Sequence, residues 1–424
     1  MEAGASRGNL WMAHNYVKQM RFEGNHTGLV HVALPLITNL VRGIAGENAS
    51  SHGSLDGPDS NGTFHIIDCS SPEYKCYPPF QNRACSPKVD CNYEISQLRW
   101  GISTALAIAK SASASAAATA ATEEGGALAL ALATAFEGID TAWWKSLIDG
   151  ALAWYPFDDA TGFRLDEDCA FECPHRHFSH LLQMWDLETV QYDAAPAPAL
   201  EGARTTASSR IAPPPSGAAL NAIMRNSLDN WYRVTCNASN WFNEECRGFT
   251  QCAMGSMSVV VGRPKGAEGN LTSLIDTVVT PNAMYGEMVY QAHPNEFSPV
   301  SESAYCGAGV LHTMLMHTTV GSDGIGKRLS LFPGITWQDA AFHLLRADGG
   351  LLVSASRVNG TTLFVRVHSK DERTIVIDVP RDAAYVHTKL LLNFFVVLSH
   401  SLSFPFLIFF FCFCFFFFFF FFFF

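Results

Sequence analysis

The sequence predicts a mainly α protein: a helical body followed by a small C-terminal β-domain. Three observations carry this. Apolar residues recur at helical spacing through most of the first 320 or so residues, the period turns strand-like after Gly326, and Asn359-Gly360 joins two β-rich runs. Short helices joined by long, residue-rich loops suit a toroid of antiparallel helix pairs with a site on the loops at one end. The 424 residues, 48% of them hydrophobic, are ample for one large domain and a small one.

In chain order, residues 9–45 give two helical patterns separated near Gly24-Asn25, the second running from Leu29 to Ile44. Residues 50–91 are loop-like, with Gly, Pro, Ser and cysteines and little periodicity. Residues 92–110 and 127–154 read as helices. The Ala/Ser low-complexity stretch between them is either a long Ala-rich helix or an inserted loop. Residues 176–190 read as helical, and 192–216, with Pro196, Pro198 and Pro213-Pro214-Pro215, as a flexible insert. Helical patterns resume at 217–233, 250–261, 269–279 and 304–318. Residues 351–357 and 362–367 are β-rich across a hairpin signal, and 374–379 supply another strand.

The expected division is therefore 1–325 for the body, with inserts at about 111–126 and 192–216, and 326–385 for a β-sandwich-like domain. Residues 386–424 form a Phe-rich tail. The tail is long and apolar enough for a span, but it uses Phe, Leu, Ser, Cys and Val, the residues of thymine-rich codons, where real spans use Leu, Ile, Val, Gly and Ala. It reads as translated non-coding sequence and is set aside from fold reasoning; a membrane partner would rest on this tract alone. At the other end, residues 9–16 read as the middle of an amphipathic helix with no cap, so the chain enters its fold part-way. Residues 1–8 lack the apolar stretch of a signal peptide.

Charge excludes one class of partner. Lys and Arg total 28 against 39 Asp and Glu, a formal net charge of −11, and no basic stretch offers a footprint for nucleic acid. Clustered cysteines and six Asn-x-Ser/Thr sequons, at Asn25, Asn48, Asn61, Asn237, Asn270 and Asn359, point to an oxidising compartment, secreted or lysosomal/endomembrane. No dinucleotide, P-loop or nucleophile-elbow fingerprint is present, and no cofactor is called for.

The stretch with most chemistry is Pro174-His175-Arg176-His177-Phe178-Ser179-His180-Leu181-Leu182. A core tolerates such residues only with partners for each ring nitrogen, whereas imidazoles and a guanidinium converging on one spot suit a polyhydroxylated or anionic ligand. Solvated or helix-capping side chains are the bland alternative for any one of them. Cys169 and Cys173 with His175 and His177 also make four possible zinc ligands in nine residues, but so tight a run is atypical of structural zinc, and no metal site is expected. A Cys169–Cys173 disulfide, or pairing within the 69–91 group, is preferred.

Seven segments together resemble glycoside hydrolase family 95, which includes α-L-fucosidases and α-L-galactosidases. They are Trp11-Met12-Ala13-His14 to Arg21-Phe22-Glu23-Gly24; Ser71-Pro72-Glu73-Tyr74; Asp90-Cys91-Asn92-Tyr93 to Leu98-Arg99-Trp100-Gly101; His175-Arg176-His177-Phe178-Ser179-His180-Leu181; Pro281-Asn282-Ala283-Met284-Tyr285; Val300-Ser301-Glu302-Ser303; and Leu331-Phe332-Pro333-Gly334 to Asp348-Gly349-Gly350. Their order and approximate spacing follow the family from residue 9 to about 370. The resemblance implies a partial (α/α)6 barrel of the six-hairpin glycosidase type with a C-terminal β-domain, lacking the family's N-terminal sandwich and first barrel helices. It also implies an exo-acting enzyme that cleaves a terminal α-L-fucoside or related sugar from an oligosaccharide or glycoconjugate.

Inversion needs one carboxylic acid to protonate the leaving oxygen and a second carboxylate, roughly 6.5–9.5 Å away, to activate water. The resemblance gives the acid to Glu73. Pro72 restricts the backbone before it, and Tyr74, Cys76 and Tyr77 could desolvate it. Its plain alternative is an exposed loop glutamate. Glu302 falls at the base position, where the fucosidases have an aspartate, so the water and the sugar would differ; its alternative is an N-terminal helix carboxylate. The asparagine pair that positions water in the fucosidases has no counterpart here. His175, Arg176, His177 and His180 would bind sugar hydroxyls and Trp11 would offer an apolar face, while Asn92 and Arg99 read as structural tethers. An inactive carbohydrate-binding or vestigial fragment of such an enzyme is the competing reading, because a toroid missing a helix pair leaves apolar faces unburied.

Overall fold

The computed structural model describes residues 9–45, 55–71, 74, 76, 82, 85–192, 215–236, 246, 248–278, 286–287, 298–299, 301–320, 327–369, 374–378 and 395–399. Helices dominate, and the sheets are small.

The first two helical patterns form as Asn9–Glu23 and the stretch His26–Ala45, which carries a π-helical turn at Leu29–Ala33. The break falls at Gly24, whose φ of +68° suits glycine, and Asn25 caps the second helix by accepting from the Gly28 N–H at 2.8 Å. The second stretch is long and apolar enough to cross a membrane, although 44% of its most apolar window is buried within the protein.

Helix Asn92–Ala118 is the axis of the body. Every residue from Asn92 to Ile102 is buried: Leu98, Trp100 and Ile102 enter the core, while Asn92, Ser96 and Arg99 donate to backbone carbonyls. Its Ala/Ser half runs out to the surface, so the low-complexity stretch continues the helix as far as Ala118. A turn follows, and Thr122 then caps helix Glu123–Ala135 by accepting from the Gly125 N–H. The single helix expected over 127–154 is instead divided. Asp140 accepts from the N–H groups of Ala142 and Trp143 and starts a new helix, Thr141–Ser146.

The helix expected over 176–190 is not formed beyond a single 3-10 turn at Ser179–Leu181. Backbone groups there are claimed from outside the segment: the His175 carbonyl accepts from Trp231 Nε1 at 3.0 Å and Thr235 Oγ1 at 3.2 Å. Farther on, Asp186 and Glu188 take left-handed φ values of +75° and +49°, which end any helical run.

Helices Gly217–Thr235, Gly248–Val260, Pro264–Val278 and Ser301–Leu315 follow. One core runs from helix Asn9–Glu23 to helix Gly248–Val260 and includes Leu98, Trp144, Trp231 and Met254. A second joins Cys252, Leu274, Val310 and Met314 from the later helices to Leu329, Leu351, Val353 and Val365 from the strands. Strands Ala340–Ala347, Leu351–Val358 and Thr361–His368 make an antiparallel sheet with Leu351–Val358 central. The hairpin turn is Asn359-Gly360, both at positive φ (+50° and +78°), with Val358 facing Thr361. A second sheet has the order Phe395–Ser399, Thr374–Asp378, Lys327–Leu331, Met316–Val320; its first three strands are parallel and the last is antiparallel. Phe395–Ser399 lies inside the tail that the sequence reading sets aside.

All ten cysteines among the described residues are paired: Cys69–Cys91, Cys76–Cys173, Cys85–Cys169, Cys236–Cys246 and Cys252–Cys306. Pairing within the 69–91 group occurs once, whereas the expected Cys169–Cys173 bridge does not form. The reason is the path of the 69–91 loop, which lies along residues 166–173: Lys88 N–H donates to Asp166 Oδ2 at 2.7 Å, and the Glu172 and Cys173 N–H groups donate to the Tyr74 hydroxyl at 3.1 Å. Cysteines on the two segments thus face one another with Cα separations of 5.3 and 5.6 Å. Their sulfurs are then no longer thiolates that could ligate zinc. Five disulfides are consistent with an extracellular or secreted protein.

Candidate functional site

The 175–180 segment is held from three sides. Tyr74 and the Cys76–Cys173 disulfide fix its start. Trp231 and Thr235 of helix Gly217–Thr235 hold the His175 carbonyl, and Thr250 Oγ1 donates to the Arg176 carbonyl at 3.5 Å. The rings assemble in sequence order. His175 meets His177 edge-on with centroids 4.7 Å apart, Tyr74 stands 5.8 Å from His175, and Phe249 stands 6.1 Å from His177. His175 is buried; Arg176 and His177 are half-buried.

His180 is placed differently. It is 1% exposed and lies flat on Phe171, with centroids 4.4 Å apart and an interplanar angle of 12°. Neither ring nitrogen makes a hydrogen bond among the described residues. Burial, with nearby His175 adding to it, pushes its pKa down to about 3, so the ring is neutral near pH 7.

Glu73 itself lies outside the described residues, but its described neighbours are fastened to this cluster. Ser71 Oγ and Ser179 Oγ share a hydrogen bond of 2.5 Å, Tyr74 accepts from Glu172 and Cys173, and Cys76 is bonded to Cys173. Glu302 is the second residue of helix Ser301–Leu315. Cys306, about one turn further on, is joined to Cys252 of helix Gly248–Val260, whose first residues include the Phe249 and Thr250 that touch the cluster. The motif Pro281-Asn282-Ala283-Met284-Tyr285 lies outside the described residues.

Trp11 is half-buried, 6.5 Å from Phe178 and 6.4 Å from Tyr93, both edge-on. Its Nε1–H donates to Asp186 Oδ2 at 2.6 Å, and Lys18 Nζ lies 3.3 Å from the other oxygen of that carboxylate. Burial works to raise the Asp186 carboxyl, yet His14, Lys18 and the Trp11 donor together hold it below the ordinary carboxylate value. His14, 3.6 Å from Asp186, is pushed down to about 4, chiefly by its own burial. Asp186 and Phe249 carry no sequence signal of their own, and Ser179 is marked only as a member of the histidine-rich stretch. Each is an ordinary residue whose role comes from partners far away in the chain.

Asn92 and Arg99 act as tethers. Asn92 Nδ2 donates to the carbonyls of Pro156 and Arg164 at 3.0 and 2.6 Å, and Arg99 donates to those of Ile148, Leu152 and Ala153. Among the described residues, no group of three or more His, Cys, Asp or Glu side chains is placed to hold a metal ion.

No family model matches the sequence, and no curated protein matches it. Among solved structures, the chain is similar to a protein described as a kojibiose phosphorylase from the human microbiome, at 8% sequence identity and a TM-score of 0.46. The likeness covers 88% of this chain and 47% of that one, so the chain spans about half the length of the structure it matches.

Proposed function

We propose that the protein is an exo-acting glycosidase that hydrolyses a terminal glycosidic bond, an α-L-fucoside or a related sugar, with inversion. One observation carries the reading: residues on both sides of Glu73 are fastened to the histidine-rich segment about a hundred residues away, at Ser71–Ser179, Tyr74–Cys173 and Cys76–Cys173. Two motifs that the resemblance assigns to one active site are thereby adjacent.

Glu73 donates its proton to the leaving oxygen, and Glu302 takes one from the attacking water. His175, Arg176 and His177 form the sugar-binding wall with Trp11, where imidazoles can donate to and accept from hydroxyls, while His180, stacked on Phe171, supports that wall from the core. The substrate is an oligosaccharide or glycoconjugate met outside the cell or in the endomembrane system. A partial (α/α)6 barrel followed by a β-domain over 326–385 is part of this proposal, and strands of that region share a core with the later helices.

The test is hydrolysis of a panel of aryl α- and β-glycosides, including the α-L-fucoside and α-L-galactoside, with the product anomer read by NMR. Glu73→Gln and Glu302→Gln should each lower kcat by about 100-fold or more with melting unchanged. Near-normal hydrolysis by Glu73→Gln would remove it from the acid role. Binding of these glycosides without cleavage of any, lost in His177→Ala, would favour the inactive carbohydrate-binding reading.

A further inference from the structure

A concave surface is lined by none of residues 175–180, although Trp185 in its wall stands 5.1 Å from Phe178. It is a cleft of about 1270 Å³ between helix Asn9–Glu23, the middle of helix Asn92–Ala118, residues 185–191 and the end of helix Ser301–Leu315 with its following strand. Sites for single small molecules occupy roughly 300–1,000 Å³, so this one is scaled for several linked units.

Its lining selects the ligand by elimination. Trp154 and Trp185, both half-buried, supply indole surface. Among them stand charges of both signs, Lys18, Arg99 and Arg346 against Asp186, Glu188 and Asp348. An anion would meet the carboxylates, a cation would meet the ammonium and guanidinium groups, and an apolar ligand would strand both. Lys18 is already paired with Asp186, and Arg99 with three backbone carbonyls. A neutral polyol, whose hydroxyls both donate and accept while its C–H faces pack on indole, therefore suits this lining better than an ion does.

The wall is also set in advance. Asp186 and Glu188 occupy left-handed backbone conformations, at φ +75° and +49°; such strain persists where surrounding structure over-determines it and clusters at ligand sites. Trp11 and Lys18 fix Asp186, and His317 Nε2 lies 3.1 Å from Glu188 Oε1. Arg99, held by three backbone carbonyls, places its Cζ 5.2 Å from the Trp154 ring centroid and immobilises that indole. Groups fixed before binding lose little entropy on binding.

We infer that this cleft is a second carbohydrate site, one that binds a neutral oligosaccharide without cleaving it. Binding there needs neither Glu73 nor Glu302, so it stands or falls separately from the glycosidase reading.

The experiment titrates the full chain with neutral gluco-, manno- and xylo-oligosaccharides, from monomer to hexamer, and with a sulfated oligosaccharide, by calorimetry and tryptophan fluorescence. Affinity should rise with chain length and favour neutral over sulfated ligands. Trp154→Ala and Glu188→Gln should each weaken binding by about tenfold or more, with Glu73→Gln unchanged. If Trp154→Ala does not fold, Glu188→Gln alone decides. No binding of any neutral oligomer, a preference for the sulfated one, or binding lost in His177→Ala but kept in Glu188→Gln would overturn the assignment.

Discussion

Ser71 and Ser179 share a 2.5 Å hydrogen bond across 108 residues of chain, and it closes the loop bearing Glu73 against the histidine-rich segment. Each hydroxyl is a candidate donor to the other, so either alanine variant breaks the bond. Ser71→Ala and Ser179→Ala should each cost about 1 kcal/mol. The double variant should cost less than their sum, a coupling that denaturant unfolding of all four proteins measures. Strict additivity would mean that the bond does not hold the loop.

The disulfide across the same junction should matter more. Cys76–Cys173 spans 97 residues and Cys236–Cys246 spans 10. Constraint of the unfolded chain grows with loop length, giving roughly 4–5 kcal/mol for the long bridge and roughly 3 kcal/mol for the short one. Paired Cys→Ser variants, compared by chemical denaturation, should rank in that order. An equal loss from the two would sink the entropic account.

Acid should unfold the protein through its buried histidines. The His180 pKa falls from 6.5 to about 3 and that of His14 to about 4, both chiefly through burial. The unfolded chain then takes up protons first, so stability falls as pH drops below about 6.5 and levels off only beneath the folded values. Asp186 acts in the same direction lower down: its folded pKa is depressed, so its contribution is present above 3.8 and lost as pH falls through the folded value. Melting temperature measured from pH 7 to 4 should decline, and His180→Phe, which keeps the stack on Phe171, should flatten the slope. Parallel curves for the two proteins would rule out His180 as a source of acid lability.

What the sequence revealed was local. The hairpin at Asn359-Gly360 was legible because two adjacent residues supply both positive φ angles that its turn requires. Residues 176–190 carry a helical pattern, yet Trp231 and Thr235 take the His175 carbonyl, and left-handed Asp186 and Glu188 end the run. Those are tertiary facts, absent from any window of sequence. Pairing within the 69–91 group occurs at Cys69–Cys91, but the Cys169–Cys173 bridge failed for the same reason: those two are near in sequence, yet the 69–91 loop brings Cys85 and Cys76 to them. The histidine cluster was visible from composition alone, whereas Asp186, one carboxylate among many, was not.

The joint between body and strands depends on two glycines. The N–H groups of Gly349 and Gly350 both donate to the Arg21 carbonyl, at 2.8 and 3.0 Å, so the turn between two strands caps the end of helix Asn9–Glu23. Gly350 has φ +72°, and a Cβ there would come within 3.0 Å of the Gly24 Cα. Gly350→Ala therefore meets two penalties, backbone strain and a backbone clash that no rotamer relieves. Gly62→Ala isolates the first, since its φ is +81° and nothing lies within 4 Å of the added carbon. Strain alone should cost about 1–2 kcal/mol at Gly62, and Gly350→Ala should exceed it by about 1 kcal/mol or more. Thermal unfolding of the two variants makes the comparison. Equal losses would show that the strand turn yields to the added methyl and does not press on the helix end.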